Sequence, residues 1–248
     1  MRRIKIVLDY NGTRFSGWQI QIGKDTVQAR IEKALFLLTG EKVSVIASGR
    51  TDAGVHALAQ VIHFDTNTEF DTVAYVRGPN NYLPDDIRVL SAEVVASDFH
   101  ARYGATKKTY IYRVYVSNEE RAVYLNRATR VNAPLSLTAM QNCCKVLIGE
   151  HDFTSFMSSG SSVKTTKRTI YDANIVEREG LFGKEYIFSF TANGFLYNMV
   201  RKMSAVLISV GQGKMDESDV TYQLENPSKT GLTFVAPACG LYLKEVEY

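Results

Sequence analysis

Hydrophobic residues recur along this chain with two different periods, and the order of those periods constrains the fold more than any other feature. Alternating apolar and polar residues predict strands, whereas apolar residues three or four apart predict helices. In the first half these patterns predict strand 4–10, helix 26–38, strands 43–47 and 58–64, helix 71–82 and strand 87–95. The order β-α-β-β-α-β is that of a ferredoxin-like fold.

The second half of the chain has the same predicted order of elements. Its patterns predict strand 109–116, helix 136–148, strands 170–178 and 185–191, a helix over 195–210 and strand 241–246. A boundary near Gly104 divides the chain into predicted domains 1–104 and 105–248. We therefore expect an α+β protein made of two ferredoxin-like halves, whose antiparallel sheets flank a central active-site cleft. A loop rich in serine, glycine and lysine is predicted over 158–167.

Composition narrows the class of protein. The 248 residues are 45% hydrophobic and 22% charged, which is typical of a globular protein with a sizeable core. The charged start of the chain argues against a signal peptide, and no apolar run is long enough to span a bilayer. The three cysteines and four histidines lack metal-binding spacing. We expect a cytoplasmic protein with reduced thiols, no metal and no membrane partner.

Basic residues are concentrated in two regions, although the formal net charge is only +3. Residues 102–130 contain seven lysines and arginines against two glutamates, a net charge of +5, with Tyr103, Tyr110, Tyr112 and Tyr115 interleaved. A second cluster comprises Lys164, Lys167 and Arg168. Such surfaces suit a phosphate backbone beside an unstacked base. A solvated strand face is the alternative interpretation.

The most unusual stretch is the loop over 48–57, which joins two predicted strands. In it, glycines flank the charged triplet Arg50-Thr51-Asp52. A loop on a rigid base can present such side chains to a ligand. An aspartate held beside an arginine stays ionised and oriented, as a carboxylate nucleophile requires. The alternative is an Asx-turn in which Asp52 caps the backbone and Arg50 faces solvent.

The segment Gly49-Arg50-Thr51-Asp52-Ala53-Gly54-Val55-His56-Ala57 resembles the signature loop of the TruA family of pseudouridine synthases. Further blocks follow in family order along essentially the whole chain: residues 8–19, 83–87, 99–103, 107–113, 195–201 and 236–241. Lys107 and Lys108 stand where the family commonly has arginine, which keeps the charge and loses the planar fork.

The resemblance implies a role for individual residues. It places three catalytic residues: the nucleophile at Asp52, the tyrosine that stacks on the target uracil and helps to remove the C5 proton at Tyr110, and the arginine that pairs with the aspartate at Arg201. It also places an apolar residue near the base at Leu241. The alternatives are ordinary strand packing for Tyr110, a solvated side chain for Arg201 and plain core for Leu241. We expect substrate contacts from Arg50, Arg102, Lys107, Lys108 and Arg168 as well.

The activity that the resemblance implies is isomerisation of uridine to pseudouridine in tRNA. The expected targets lie on the 3′ side of the anticodon stem-loop, at tRNA positions 38 to 40, and the expected assembly is a homodimer. No redox step or group transfer occurs, so no cofactor is expected. Three alternatives stay open: a non-catalytic RNA-binding protein, a base-excising glycosidase and a paralogue that modifies other uridines. The order of the bond-making steps also stays open.

Overall fold

The computed structural model describes residues 1–160 and 163–248, which divide into two compact units. Unit 1 comprises Met1–Thr106 and Tyr242–Tyr248, and unit 2 comprises Lys107–Leu241. The end of the chain thus returns to the first unit. Within the predicted loop 158–167, residues 161 and 162 lie outside the described residues.

Strands and helices follow one another in the predicted order, with additions. The first six elements are β1 (Arg2–Tyr10), α1 (Val27–Thr39), β2 (Ile46–Ala47), β3 (His56–Thr66), α2 (Thr72–Asn80) and β4 (Ile87–Val95). The remaining elements are β5 (Lys107–Val116), β6 (Thr129–Val131), α3 (Leu137–Leu147), β7 (Gly149–Asp152), β8 (Lys167–Gly180), β9 (Gly183–Ala192), α4 (Met199–Gly211), α5 (Glu217–Glu225) and β10 (Leu241–Glu247).

In unit 1, β1 lies between β3 and β4 and is antiparallel to both. The other edge of β3 pairs with β2 in antiparallel fashion and with β10 in parallel fashion. Ile4, Ile6 and Leu8 of β1 are fully buried and alternate with half-buried residues. The alternation read from the sequence therefore marks the face of β1 that builds the core.

In unit 2, β9 lies between β5 and β8 and is antiparallel to both, and β7 extends the sheet along β8. The short strand β6 pairs with β5 in parallel fashion. Helices α3 and α4 contact each other, and α3 also contacts β8. Tyr112, Phe188, Phe190, Met203 and Val206 are fully buried.

The α+β class is confirmed, whereas several details of the prediction were wrong. Each unit contains one parallel pair of strands, so the pairing is not purely antiparallel in either unit. Strand β2 is two residues long where 43–47 was expected, and β6, β7 and α5 were not predicted. Helix α4 begins at Met199 instead of 195, because Asn198 has a left-handed backbone (φ 61°) that cannot continue a right-handed helix.

Membrane-spanning segments were sought in the part of the chain that the structure describes. None of its helices has the length and apolar character needed to cross a bilayer.

Candidate functional site

The loop that carries Asp52 runs from the end of β2 to the start of β3 in unit 1. Asp52 is half-buried and opens a tight turn, in which the Val55 amide donates to the Asp52 carbonyl oxygen at 3.1 Å. Gly54 closes the turn with a positive φ of 78°, a conformation that glycine adopts without strain. The carboxylate is therefore attached to a defined turn, and Arg50 beside it is exposed.

Buried polar side chains from two strands hold the loop in place. The Tyr10 hydroxyl of β1 and Thr51 Oγ1 are hydrogen-bonded at 2.8 Å. Gln60 of β3 donates to the Gly49 carbonyl oxygen at 2.9 Å and accepts from Ser48 Oγ at 2.7 Å. Burial raises the pKa of Tyr10 to about 12, so its hydroxyl stays neutral. These bonds attach the loop to the sheet on the N-terminal side of Asp52.

Two glycines let the chain after β1 pack directly against the same loop. A Cβ atom on Gly17 would lie 2.8 Å from the Thr51 carbonyl oxygen, and one on Gly12 would lie 1.9 Å from that of Val55. The Trp18 amide donates to the Thr51 carbonyl oxygen at 2.9 Å, and the Gly12 amide donates to Nδ1 of His56 at 3.0 Å. The backbone on both sides of Asp52 is thus fixed by close contacts.

Tyr110 lies in β5 of unit 2, opposite Phe190 of β9. Its side chain is 8% exposed, and its ring meets that of Phe195 edge to face, with centroids 5.2 Å apart and planes at 83°. This is a favoured aromatic geometry, so the ring is held in one orientation.

Arg201 lies in the first turn of α4 and is half-buried. Its Nε donates to the Ala236 carbonyl oxygen at 2.7 Å, and its Nη1 donates to Oδ1 of Asn198 at 2.9 Å. The Asn198 amide group in turn donates to Oγ of Ser158 at 3.1 Å. The guanidinium group is therefore oriented by protein acceptors, which argues against the alternative of a solvated side chain.

Leu241 is the first residue of β10 and is 7% exposed. The turn before it is held by the buried Tyr112 hydroxyl, which donates to the Pro237 carbonyl oxygen at 2.8 Å and is hydrogen-bonded to Thr129 Oγ1. Burial raises the pKa of Tyr112, so this hydroxyl stays protonated.

The basic residues expected to contact substrate differ in their surroundings. Arg102 is exposed, with its guanidinium 5.7 Å from the ring centre of Tyr103, an aromatic residue that is itself 79% exposed. Lys107 and Lys108 are half-buried at the start of β5, and the Lys107 ammonium lies 5.8 Å from the ring centre of Tyr171. Such pairs of cation and aromatic ring suit contacts with nucleotides.

Arg168 is half-buried, and its Nη1 donates to the carbonyl oxygens of Thr165 and Lys167 at 2.9 and 2.6 Å. Burial lowers the pKa of its guanidinium. Within residues 1–160 and 163–248 no carboxylate pairs with it. A half-buried arginine whose partners are carbonyl oxygens keeps its positive charge available to an anion.

The predicted residues are distributed over both units. Unit 1 contains Asp52, Arg50 and Arg102, and unit 2 contains Tyr110, Lys107, Lys108, Arg168, Arg201 and Leu241. The supporting residues Tyr10, Gln60 and Asn198 were not predicted. Tyr10 and Asn198 had a usable signal, because each stands inside one of the family-like blocks, whereas Gln60 does not.

Comparison with known proteins identifies one family. A family model described as tRNA pseudouridine synthase matches residues 6–104 and 143–248. A tRNA pseudouridine synthase A from an Exiguobacterium species is 45% identical over 248 residues, covering 100% of this chain and 98% of that protein. The tRNA pseudouridine synthase A of Ruminiclostridium cellulolyticum is 41% identical, with 100% of both chains covered. A Bacillus cereus protein named tRNA pseudouridine synthase A 1 is 44% identical, covering 100% of this chain and 99% of that one.

Proposed function

This chain belongs to the tRNA pseudouridine synthase family, and we propose that it isomerises uridine on the 3′ side of the anticodon stem-loop with Asp52 as nucleophile. Membership makes the protein an isomerase that acts on tRNA uridine. The choice of uridine and the residue that attacks are the finer statements proposed here.

The reaction exchanges one bond to the ribose for another. The N1–C1′ glycosidic bond breaks, the uracil turns within the site, C5 bonds to C1′, C5 loses its proton and N1 gains one. Atoms and electrons balance without an oxidant or a donor group. A carboxylate can assist C–N cleavage by attack or by removing a ribose proton, provided that the site retains the freed uracil.

The observation that carries the proposal is the construction of the Asp52 loop. A nucleophile must be held within a narrow range of positions, because a displacement of about 1 Å can reduce the rate about a hundredfold. Asp52 is half-buried on a turn whose backbone is fixed by hydrogen bonds from Trp18 and Gln60 and by the close approach of Gly17. An aspartate in an ordinary surface turn would not need such support.

The roles of the other residues are proposed from the family resemblance, and their surroundings in unit 2 support them. Arg201 has the fixed guanidinium that pairing with a carboxylate requires. Tyr110 has a ring held in place by Phe195, suited to stacking on the uracil. Leu241 is an apolar side chain suited to packing beside the base.

A paired uridine must leave its helix to reach a carboxylate, at a cost of a few kcal/mol. We propose that Arg50, Arg102, Lys107, Lys108 and Arg168 offset this cost by holding the phosphates and bases around the target. The exposed Arg102 and Tyr103 and the half-buried Arg168 with its carbonyl partners support this assignment.

Further parts of the proposal concern architecture and assembly. The strand order β4-β1-β3, with β2 on the far edge of β3, supports a ferredoxin-like arrangement for unit 1. We propose the same arrangement for the second half, from its order of elements. The cleft between the predicted domains 1–104 and 105–248, the homodimer and the cytoplasmic location rest on the sequence and the family resemblance alone.

Tritium release from tRNA labelled at uracil C5 tests the function. We expect wild-type protein to release tritium while the uracil stays in the RNA. Asp52→Asn should reduce kcat by at least about a thousandfold, because an amide cannot act as the nucleophile. Asp9→Asn is a matched control, since Asp9 is also half-buried in unit 1 and burial raises its pKa.

The alternative functions give different results in this assay. A glycosidase would release free uracil, and a non-catalytic RNA-binding protein would bind tRNA without releasing tritium. A paralogue would release tritium from a different position, which mapping of pseudouridine in the product identifies. Equal activity of Asp52→Asn and Asp9→Asn would remove Asp52 from the mechanism.

A further inference from the structure

Lys202 is a buried cation to which the proposed chemistry assigns no role. It follows Arg201 in α4 and is 4% exposed. Its ammonium donates to the carbonyl oxygens of Leu232 at 2.6 Å, Met157 at 2.9 Å and Ser155 at 3.4 Å. Among the described residues no carboxylate pairs with it, and burial lowers its pKa. Burying a charge without a counter-charge costs free energy, so an apolar residue would be the cheaper choice for packing alone.

Two of the three carbonyl groups, those of Ser155 and Met157, lie in a segment that is hydrogen-bonded to Asn198, one of the acceptors of Arg201. Met157 precedes Ser158, whose amide donates to the Tyr197 carbonyl oxygen at 3.0 Å. Ser158 Oγ accepts from the Asn198 side chain at 3.1 Å, and Asn198 Oδ1 accepts from Nη1 of Arg201 at 2.9 Å. The segment bound by Lys202 therefore helps to orient the Asn198 side chain that accepts from Arg201.

The third carbonyl group, that of Leu232, lies in the segment that contains Ala236, the other acceptor of Arg201. Leu232 lies four residues before Ala236, and both are buried. The Ala236 carbonyl oxygen accepts from Nε of Arg201 at 2.7 Å, and the Ala236 amide donates to the Arg201 carbonyl oxygen at 3.3 Å. The Ser228 amide also donates to Ser155 Oγ at 3.0 Å, which joins the two segments to each other. One ammonium thus connects the segment that hydrogen-bonds Asn198 with the segment that contains Ala236.

We propose that Lys202 is a positioning residue that sets the orientation of the Arg201 guanidinium by binding the two segments around it. The proposal rests on the catalytic role proposed for Arg201. The three ammonium protons match three carbonyl oxygens, whereas an apolar side chain would leave those buried oxygens without a donor. The segments would then shift to find other donors and carry the Asn198 and Ala236 acceptors with them.

A double-mutant cycle tests whether Lys202 acts through Arg201. We expect Lys202→Met to reduce kcat about tenfold to a hundredfold, with KM for tRNA changed less than about twofold. In an Arg201→Lys background the same substitution should change kcat less than about threefold, because the group that it positions is gone. Leu147→Ala controls for stability, since it removes fully buried apolar volume from α3 of the same unit. Below its unfolding temperature this control should keep wild-type kcat.

The ¹⁵N–¹H signal of Arg201 Nε gives a readout independent of activity. The signal is assigned by its disappearance in Arg201→Lys, and we expect it to shift or broaden in Lys202→Met. If Lys202→Met fails to fold, Lys202→Gln replaces it, because its amide keeps two N–H donors near the carbonyl oxygens.

An unchanged signal together with wild-type kcat, or fully additive effects in the cycle, would overturn the proposal. Failure of the underlying function would look different. Full activity of Arg201→Lys would remove Arg201 from catalysis, while the Nε signal would still report whether Lys202 orients it.

Discussion

Asp52 and Arg201 are held by different means. Hydrogen bonds and close contacts fix the backbone around Asp52, so its carboxylate is attached to a rigid turn. The guanidinium of Arg201 is fixed directly, because two of its donors have acceptors on Ala236 and Asn198. Substitutions near Asp52 should therefore act through the backbone, and substitutions near Arg201 through its acceptors.

Arg168 should contribute one phosphate contact. Arg168→Gln removes a charge that has carbonyl partners alone, so it should weaken binding of all tRNAs alike. The logarithm of the tRNA association constant falls linearly with the logarithm of salt concentration, and the substitution should reduce the magnitude of that slope by about 1. Filter binding at several salt concentrations measures both. Lys145→Gln on the exposed face of α3 is the matched control, and equal slopes for the two variants would exclude a phosphate contact by Arg168.

At the scale of elements, the Asp52 loop depends on the segment that follows β1. Gly17 has a φ of +87° and its backbone touches the Thr51 carbonyl oxygen, so the two segments pack without any side chain between them. Strand β1 contributes Tyr10 to the same loop. The conformation of the loop therefore depends on contacts with β1, with the segment after β1 and with β3, and the loop is not a self-contained motif.

Gly17→Ala should displace the loop. A Cβ atom 2.8 Å from a carbonyl oxygen must push the backbone away, so we expect kcat to fall at least about tenfold and stability by about 1–3 kcal/mol. Gly40→Ala is the control, because Gly40 has a similar φ of +73° with no atom within 4 Å. Denaturation followed by circular dichroism and tritium release measure the two effects. Identical results for both variants would show that the close approach at Gly17 does not matter.

At the scale of the whole molecule, the last residues of the chain complete unit 1. The Tyr248 hydroxyl donates to the Ala101 carbonyl oxygen at 2.8 Å, and the Thr106 amide donates to the Glu247 carbonyl oxygen at 2.8 Å. Beneath this segment, His63 is 2% exposed and its Nδ1 accepts from the Ala101 amide at 3.1 Å. Unit 1 therefore depends on a neutral histidine.

Acid should destabilise unit 1 through His63. Burial first, then the charges of Arg3 and His100, lower its pKa to about 4 from 6.5, and Asp65 only partly opposes them. The unfolded chain thus binds the proton more tightly, and stability falls as pH drops from 6.5 towards 4, by at most about 1.4 kcal/mol per pH unit. Urea unfolding followed by Trp18 fluorescence measures this, since Trp18 is the one tryptophan of the chain and is buried in unit 1.

His63→Asn supplies the comparison for this pH dependence. Its amide oxygen can accept from the Ala101 amide but does not titrate, so its loss of stability between pH 6.5 and 4 should be smaller than that of the wild type. Parallel curves for the two proteins would show that another group governs the acid response.

The sequence by itself determined the class and order of the elements and the family. Strand and helix periodicity are local properties of a sequence. The spacing of Ile4, Ile6 and Leu8 therefore predicted the buried face of a strand without any knowledge of tertiary contacts. The block around Asp52, together with the other family-like blocks along the chain, likewise indicated the family by resemblance.

Only the tertiary structure decided which distant residues support the site. Tyr10 and Thr51 are 41 positions apart, and Lys202 meets carbonyl groups 30 to 47 positions away, so no local pattern could indicate those hydrogen bonds. Backbone carbonyl acceptors exist at every residue and leave no mark in the sequence. The return of Tyr242–Tyr248 to unit 1 was equally hidden, because strand periodicity states which face of a strand is buried and not which sheet it joins.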